Sequence, residues 1–324
     1  MEHTFWIWYP GDFELYHAMK QNFSRVERGF GWPAFWKSEG FRNRVAFRRT
    51  YELEQETSFT VFSNAIGHVL VTWENREKKY PFGKKITVAP GKVRISIHAG
   101  CVEAFPCAYV QGEVIYSDKT WQAEDYSQPL VPVGVCKYFT KPGQNPTVWE
   151  YTEKECKPVK ISEINGGVLA EFETELTAAV YVKDKRQNSS EVEVFCGESM
   201  DEALDLEHCY YSWQPDPVTN RCPCCAVRFA FIPNCKAEDV EITAFYQYVD
   251  FPKRASFKCS DKKLNKIWEV AEHTFRLCSG IFFLDGVKRD KWIWSGDAYQ
   301  SFFVNQYLLA DPDIDQRTLL ALRG

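Results

Sequence analysis

The 324-residue sequence has no apolar run of 18 or more residues, so no transmembrane helix is expected and no membrane partner is assigned. Its opening, MEHTFWIWYPGDFELYH, lacks the basic region, apolar stretch and small-residue cleavage site that direct secretion. On those grounds the chain is expected to be cytoplasmic. A basic stripe is missing too, and the net charge of −5 argues against nucleic acid as a partner. Neither internal repeats nor low-complexity tracts appear.

Metal-ligand spacing is also scarce. The twelve cysteines fit a reducing compartment, where structural disulfides are rare. Among them only Cys222, Cys224 and Cys225, with His208 and Cys209 nearby, form a cluster of soft ligands. A C-x-C-C run lacks the C-x₂₋₄-C pairing that sets two thiolates around one tetrahedral ion. These residues are therefore read as buried or edge thiols, and no metal is assigned.

What the chain has in quantity is aromatic surface: 24 Phe, 16 Tyr and 11 Trp. Flat rings pack against the apolar faces of pyranoses, but β-sandwich cores and domain seams also consume aromatics. Composition alone favours the second use. The length leaves room for two or three domains.

From about residue 41 to 260 the pattern is that of strands. RVAFRRTYEL (44–53), SFTVFSNAIGHVLVTWE (58–74) and KKITVAPGKVRISIHAG (84–100) are short β-branched and aromatic runs broken by turn residues. Residues Val93 to His98 alternate strictly, and Pro90-Gly91 reads as a hairpin turn. A second set follows: 166–183 after Asn165-Gly166, then 191–199, 224–232 and 239–251. Many short strands without intervening helices predict β-sandwiches. The polar, proline-containing stretch 117–134 places a boundary near 126, giving a first sandwich domain over 1–126 and a second over 127–259. The tryptophan-rich segment 6–36 is expected either to wrap other domains or to face a ligand.

At residue 260 the period changes. Leu264, Ile267, Trp268, Ala271, Phe275 and Cys278 share one face of a predicted helix, with Ser260 or Asp261 as N-cap. A second helix is predicted from about Gly296-Asp297 to 310, broken by Asp311-Pro312, and a third runs to the end. Two and a half helices cannot bury their own apolar faces, so 260–324 is expected to be the start of an incomplete helical domain.

Between the first two helices lies DGVKRDKWIWSGD (285–297), with three aspartates, two lysines, one arginine and two tryptophans. A solvated loop explains the charges but not the bulk of Trp292 and Trp294. Carboxylates crowded beside apolar rings suit glycoside hydrolysis. One carboxylic acid protonates the leaving oxygen, a second carboxylate activates water or attacks, and crowding raises the pKa of one of them.

The form D-x-x-x-R-[D/E]-x-x-x-W-[T/S]-G-D resembles the signature of the bacterial α-L-rhamnosidases of glycoside hydrolase family 78. It is met by Asp285, Arg289, Asp290, Trp294, Ser295, Gly296 and Asp297. SFKCSDKKLNKIW (256–268), FCGESMDEAL (195–204) and WIWYPGDFELYH (6–17) resemble flanking phrases of the same family. The resemblance implies β-sandwich domains before an (α/α)₆ barrel, and inverting hydrolysis of terminal α-L-rhamnose from a rhamnose-containing glycoside or oligosaccharide. It implies that Asp285 and Arg289 contact rhamnose hydroxyls, that Asp290 is the general acid, and that Trp294 lines the sugar pocket. Asp297 becomes a second essential carboxylate. No metal or organic cofactor is implied, and the sequence leaves homo-oligomer formation open.

Two departures from the family pattern carry expectations of their own. Many members have Glu at the acid position, and Asp withdraws the carboxyl by ~1.5 Å. Misplacement of about 1 Å can cost on the order of a hundredfold in rate. An inverting base must also stand about 6.5–9.5 Å from the acid. In the family that base is a glutamate further along the barrel, and the sequence as given stops before it. Asp311, Asp313 and Asp315 are read as cap and turn residues, so the chain is expected to be inactive by itself. The alternative is a non-catalytic carbohydrate-binding protein that uses its sandwiches and aromatic N-terminus; another inverting (α/α)₆ glycosidase accounts less well for residues 285–297.

Overall fold

A computed structural model of the chain describes residues 4–23, 40–74, 76–127, 129–186 and 192–323. The described backbone is mainly β, as the strand pattern predicts, with three antiparallel sheets and five helices. It divides into two compact units, Met1–Trp149 with Pro312–Gly324, and Glu150–Asp311. No helix among the described residues is long and apolar enough to cross a membrane.

The first unit opens with β1 (Ile7–Trp8) and α1 (Asp12–Phe23). There follow β2 (Arg44–Leu53), β3 (Thr57–Ser63), β4 (Ile66–Trp73), β5 (Arg76–Tyr80) and β6 (Lys85–Val88). Next come β7 (Gly91–Gly100), β8 (Cys107–Gly112), β9 (Gln122–Glu124) and β10 (Val131–Pro132). One sheet runs β1-β8-β3-β6 and the other β10-β9-β2-β7-β4-β5. Alternation sends Val93, Ile95 and Ile97 of β7 inward, where they share a core with Phe59 and Val61 of β3 and Ile86 of β6. Apolar faces from both sheets meet in one core, which is the packing of a sandwich.

Two expectations are corrected here. Pro90-Gly91 is not a hairpin turn: β6 pairs with β3, and β7 with β2 and β4. The dipeptide carries the chain from one sheet to the other, with Gly91 at φ 118. The turn chemistry was legible but not the partner, because strand alternation does not say which sheet a strand joins. The described part of the tryptophan-rich segment faces core rather than ligand. Trp6 and Trp8 are buried, and Trp8 stacks on Phe13 at 4.8 Å. Trp8 also exchanges backbone hydrogen bonds with Gly134 at 2.9 and 3.1 Å. A Cβ on Gly134 would lie 2.4 Å from Trp8 Nε1, so this contact needs glycine. Residues 24–36 of the segment, with Trp32 and Trp36, lie outside the described residues.

The second unit holds β11 (Thr152–Cys156), β12 (Lys160–Ile164), β13 (Gly167–Asp184) and β14 (Val194–Gly197). After the short α2 (Met200–Leu204) come β15 (Tyr211–Trp213), β16 (Cys225–Pro233) and β17 (Val240–Tyr248). Asn165 and Gly166, at φ 50 and 75, close the β12–β13 hairpin in the left-handed turn that Asn-Gly favours. The 18-residue β13 pairs along its length with β12, β16 and β17. Its register with β16 shifts between Glu171 and Leu176. On either side of the shift Val168, Ala170, Phe172, Leu176, Ala178 and Val180 enter the same core. Cys196, Cys222 and Cys225 are part of that core, and burial pushes the Cys222 and Cys224 thiols up to about 12. Ser199 caps α2 by accepting from the Glu202 N–H, and Ala203 then covers Leu169, Phe195 and Phe231 on the opposite face.

Three further helices follow: α3 (Lys262–Leu277), α4 (Ser295–Leu308) and α5 (Pro312–Arg323). Asp261 is the N-cap of α3, accepting from the Lys263 and Leu264 N–H groups. None of the α3 residues is buried, and Leu264, Ile267 and Val270 of its apolar face are about half exposed. The α5 helix starts at a proline, whose missing N–H costs nothing at a first turn. It belongs to the first unit, where it contacts α1 and buries Ile314, Arg317 and Ala321. Asp313 and Asp315 sit in its first turn, where acids suit the helix dipole. Asp311 exchanges hydrogen bonds with the Asn305 side chain.

Candidate functional site

Residues 285–297 connect α3 to α4 in the second unit, and the way they close follows from a few hydrogen bonds. The chain leaves α3, forms an isolated bridge between Ser279 and Phe283, and returns the Leu284 N–H to the Cys278 carbonyl at 2.9 Å. The Asp285 N–H donates to the Trp292 carbonyl at 3.0 Å, and the Asp285 carboxylate accepts from the Trp292 N–H at 2.8 Å. Everything between them is a closed six-residue excursion. Its tip is tight: Asp290 and Lys291 both have left-handed backbone, at φ 63 and 44. Asp tolerates that region better than most L-residues because its short side chain bonds locally.

The loop is anchored by apolar groups. Trp292 and Ile293 are each 3% exposed, and Val287 packs into the core of the second unit. Trp294 behaves differently: 37% exposed, it occupies the N-cap position of α4. Its carbonyl accepts from the Ala298 N–H, which starts the helix and puts Asp297 in the first turn. Arg289 and Asp297 are exposed, while Asp285 and Asp290 are half-buried.

The Asp285 carboxylate senses the other two of the loop. Burial pushes the Asp285 carboxyl above its ordinary range. The Trp292 and Gly286 N–H groups pull it down, and the charges of Asp290 and Asp297 push it up again. The structure therefore brings Asp290 and Asp297 each into electrostatic range of Asp285. It anchors Trp292 in the interior and leaves Arg289 and Trp294 on the surface.

Beside the loop lies a second acidic group, in which Glu198 and Glu202 come from the phrase FCGESMDEAL and Glu175 from a strand with no such mark. Lys288 reaches Glu198 at 3.1 Å and also pairs closely with Glu202. Burial works against the Lys288 charge, but its hydrogen bonds to Glu202 and Glu198 outweigh that and hold its pKa above the usual value. Glu175 completes the group, its carboxyl raised to about 7 by burial and then by the hydrogen bond and charge of Glu198. Cys278 feels both Asp285 and Glu175, so the two acidic groups are neighbours. The Glu175 carbonyl accepts from the His273 ring at 2.7 Å, and the Tyr211 hydroxyl donates to the Lys288 carbonyl at 3.4 Å. Glu175 falls in the irregular stretch of β13, where a bulge re-aims side chains. A glutamate interrupting a buried strand was the signal that could have found it.

No family model matches the chain, and no curated protein matches it. Among solved structures it is similar to the α-L-rhamnosidase from Dictyoglumus thermophilum, with 14% identity and a TM-score of 0.38 over 82% of this chain and 39% of that one. It is also similar to the Streptomyces avermitilis α-L-rhamnosidase complexed with L-rhamnose (11% identity, TM-score 0.43, 87% and 36% covered). A third is the GH78 family rhamnosidase of Bacillus sp. GL1 (14%, 0.38, 86% and 38%). The chain thus spans under two fifths of the length of these structures, and at such scores the likeness is coarse and partial.

Proposed function

We propose that the chain carries the acid side of the sugar site of an inverting α-L-rhamnosidase acting on terminal α-L-rhamnose. The observation behind this reading is the closed loop 285–297, whose spacing of Asp285, Arg289, Asp290, Trp294 and Asp297 matches the rhamnosidase signature. Asp290 and Asp297 both lie within electrostatic range of Asp285. In this reading Asp285 and Arg289 hold the sugar hydroxyls and Trp294 presents its exposed ring to the pyranose face. Asp290 protonates the glycosidic oxygen, with Asp297 as the second carboxylate of the site. The role of Asp290 requires that its carboxyl carry a proton when it meets the glycosidic oxygen.

The reading assigns no base within this sequence, so the 324-residue chain is expected to bind rhamnosides without turning them over. Titration of the chain with L-rhamnose, followed through Trp294 fluorescence or NMR, tests the binding. In a version that supplies the base, Asp290→Asn is expected to abolish hydrolysis of an aryl rhamnoside and leave binding largely intact; unchanged turnover would remove Asp290 from the acid role. Point variants are preferable to truncation, because α5 is part of the first unit. Rhamnose binding that survives Asp285→Ala together with Trp294→Ala would instead favour a sugar-binding role for the sandwiches.

A further inference from the structure

The outward face of the larger sheet of the first unit carries a recess of ≈ 490 Å³ that the rhamnosidase reading leaves unused. Alternation along β4 and β7 buries Val69, Ile97 and Ala99 and turns His68 and His98 outward. The two are register partners, so their imidazoles meet, 5.0 Å apart and 18° from parallel. Tyr126 extends the row, its ring 6.1 Å from that of His98 and its hydroxyl sharing a 2.7 Å hydrogen bond with His98 Nδ1. It keeps that place with left-handed backbone, φ 67, which bulky L-residues rarely adopt.

Beside this row of rings the floor is open. Gly100 pairs with Arg44 of β2 and Ile66 of β4, and alternation puts all three on the face of His98. A Cβ on Gly100 would make only ordinary contacts, at 3.5 Å or more, so packing does not account for the missing side chain. Ile66, 89% exposed, walls one side of the recess. Arg44 walls the other: it is exposed, and its side chain has no ion pair or hydrogen bond among the described residues. Its charge is felt at the Tyr126 hydroxyl. The other charges at hand are matched, Arg48 by Glu124 and Asp125 by Arg42.

We propose that this recess binds a small planar aromatic carboxylate. Its ring would lie over Gly100, between Ile66 and the row of His68, His98 and Tyr126, and its carboxylate would meet the Arg44 guanidinium. Aromatic rings associate with one another edge to face or offset, and a carboxylate matches the fork of an arginine. A metal dication on the two imidazoles fits less well, because the surroundings are already positive. Burial first, and then the charge of Lys79, lowers the His68 pKa, and neither Lys79 nor Arg44 is ion-paired among the described residues. A neutral pyranose would use the rings and leave Arg44 idle. An aromatic carboxylate uses both.

The test is an NMR titration of the full chain with benzoate. Cyclohexanecarboxylate, which has the charge without the flat ring, and benzyl alcohol, which has the ring without the charge, are the comparisons. Benzoate is expected to shift the imidazole signals of His68 and His98 and the Gly100 amide, with a Kd of roughly a few millimolar. Both comparisons are expected to bind at least roughly threefold more weakly. Arg44→Gln and His68→Ala, at surface positions, should each weaken benzoate about fivefold. Gly100→Ala, whose Cβ the fold accommodates, should weaken it roughly threefold by raising the floor. The amide spectrum of the remaining residues reports that each variant is folded. Either comparison binding as tightly as benzoate, unchanged affinity in any of the three variants, or no shifts at roughly twenty millimolar would overturn the proposal. Zinc chloride bound more tightly than benzoate, and lost in His68→Ala, would assign the recess to a metal instead.

Discussion

Asp285 and Trp292 hold each other twice: the Asp285 N–H donates to the Trp292 carbonyl at 3.0 Å, and the Asp285 carboxylate accepts from the Trp292 N–H at 2.8 Å. The same carboxylate is proposed to grip the sugar, so closing the loop and binding ligand draw on one side chain. Asp285→Asn keeps an acceptor and is expected to leave the loop closed while rhamnose binding falls. Asp285→Ala removes the acceptor beside a buried tryptophan and is expected to cost about 1–3 kcal/mol in a urea titration. If Ala and Asn variants prove equally stable, the carboxylate does not hold the loop.

The backbone at Asp290 favours Asp over Glu. At φ 63 the short side chain is favoured, and a longer one loses the local bonding that makes this region tolerable. Asp290→Glu is therefore expected to lower stability by roughly 1 kcal/mol, and Asp290→Asn to change it little. Thermal midpoints of the two variants check this, and a Glu variant as stable as the parent would show that the backbone does not select Asp.

A pH dependence follows from Glu175. Its pKa is about 7 in the folded protein against an ordinary 4.5. Between those values the folded protein keeps a proton that the unfolded chain releases. The contribution to stability is therefore whole below about 4.5 and is lost as the pH rises through about 7. Glu14 acts in the same direction and over the same window. Urea midpoints at pH 5 and pH 8 should fall for the parent, fall less for Glu175→Gln, and least for Glu175→Gln with Glu14→Gln. A double variant with the parent's full pH dependence would contradict this.

Two glycines mark places where backbones touch. A Cβ at Gly167 would meet the Ile232 carbonyl oxygen at 2.3 Å, and one at Gly134 would meet Trp8 Nε1 at 2.4 Å. Gly167→Ala presses on backbone that cannot yield and is expected to cost about 1–3 kcal/mol. Gly134→Ala presses on a packed ring and should cost a similar amount. Denaturant midpoints decide, and a Gly167→Ala variant within about 0.5 kcal/mol of the parent would mean that the sheet shifts freely.

How far the sequence was legible depends on the range of the interaction. Period-2 alternation placed Val93, Ile95 and Ile97, and cap chemistry narrowed the start of α3 to Ser260 or Asp261, because both are written in neighbouring residues. Asn165-Gly166 closes a hairpin and Pro90-Gly91 crosses between sheets, although both are turn dipeptides; the difference lies in partners dozens of residues away. The loop 285–297 was visible because its charges and rings are contiguous. Glu175 was not, since it reaches Lys288 only after β13 has folded against distant strands. The aromatic N-terminus misled in the expected way: rings that could face a sugar pack just as well on Phe105 and Phe139.

The long strand β13 sets an order of events as the chain emerges during synthesis. Its first third can pair at once with β12 across Asn165-Gly166, but the partners for the rest begin only at Asn220, whose segment bridges Tyr181 through Arg221, and at the strands from Cys225 and Val240. For the time it takes to make those intervening residues, a run as apolar as LTAAVYV (176–182) waits with open edges. Sheets closed by such late partners fold slowly and expose strand edges meanwhile. Slowing translation between residues 185 and 224 would lengthen that wait, and speeding it would shorten it. The yield of folded chain in a cell is thus expected to vary with codon choice in a stretch that supplies β14 and β15 but no strand that pairs with β13.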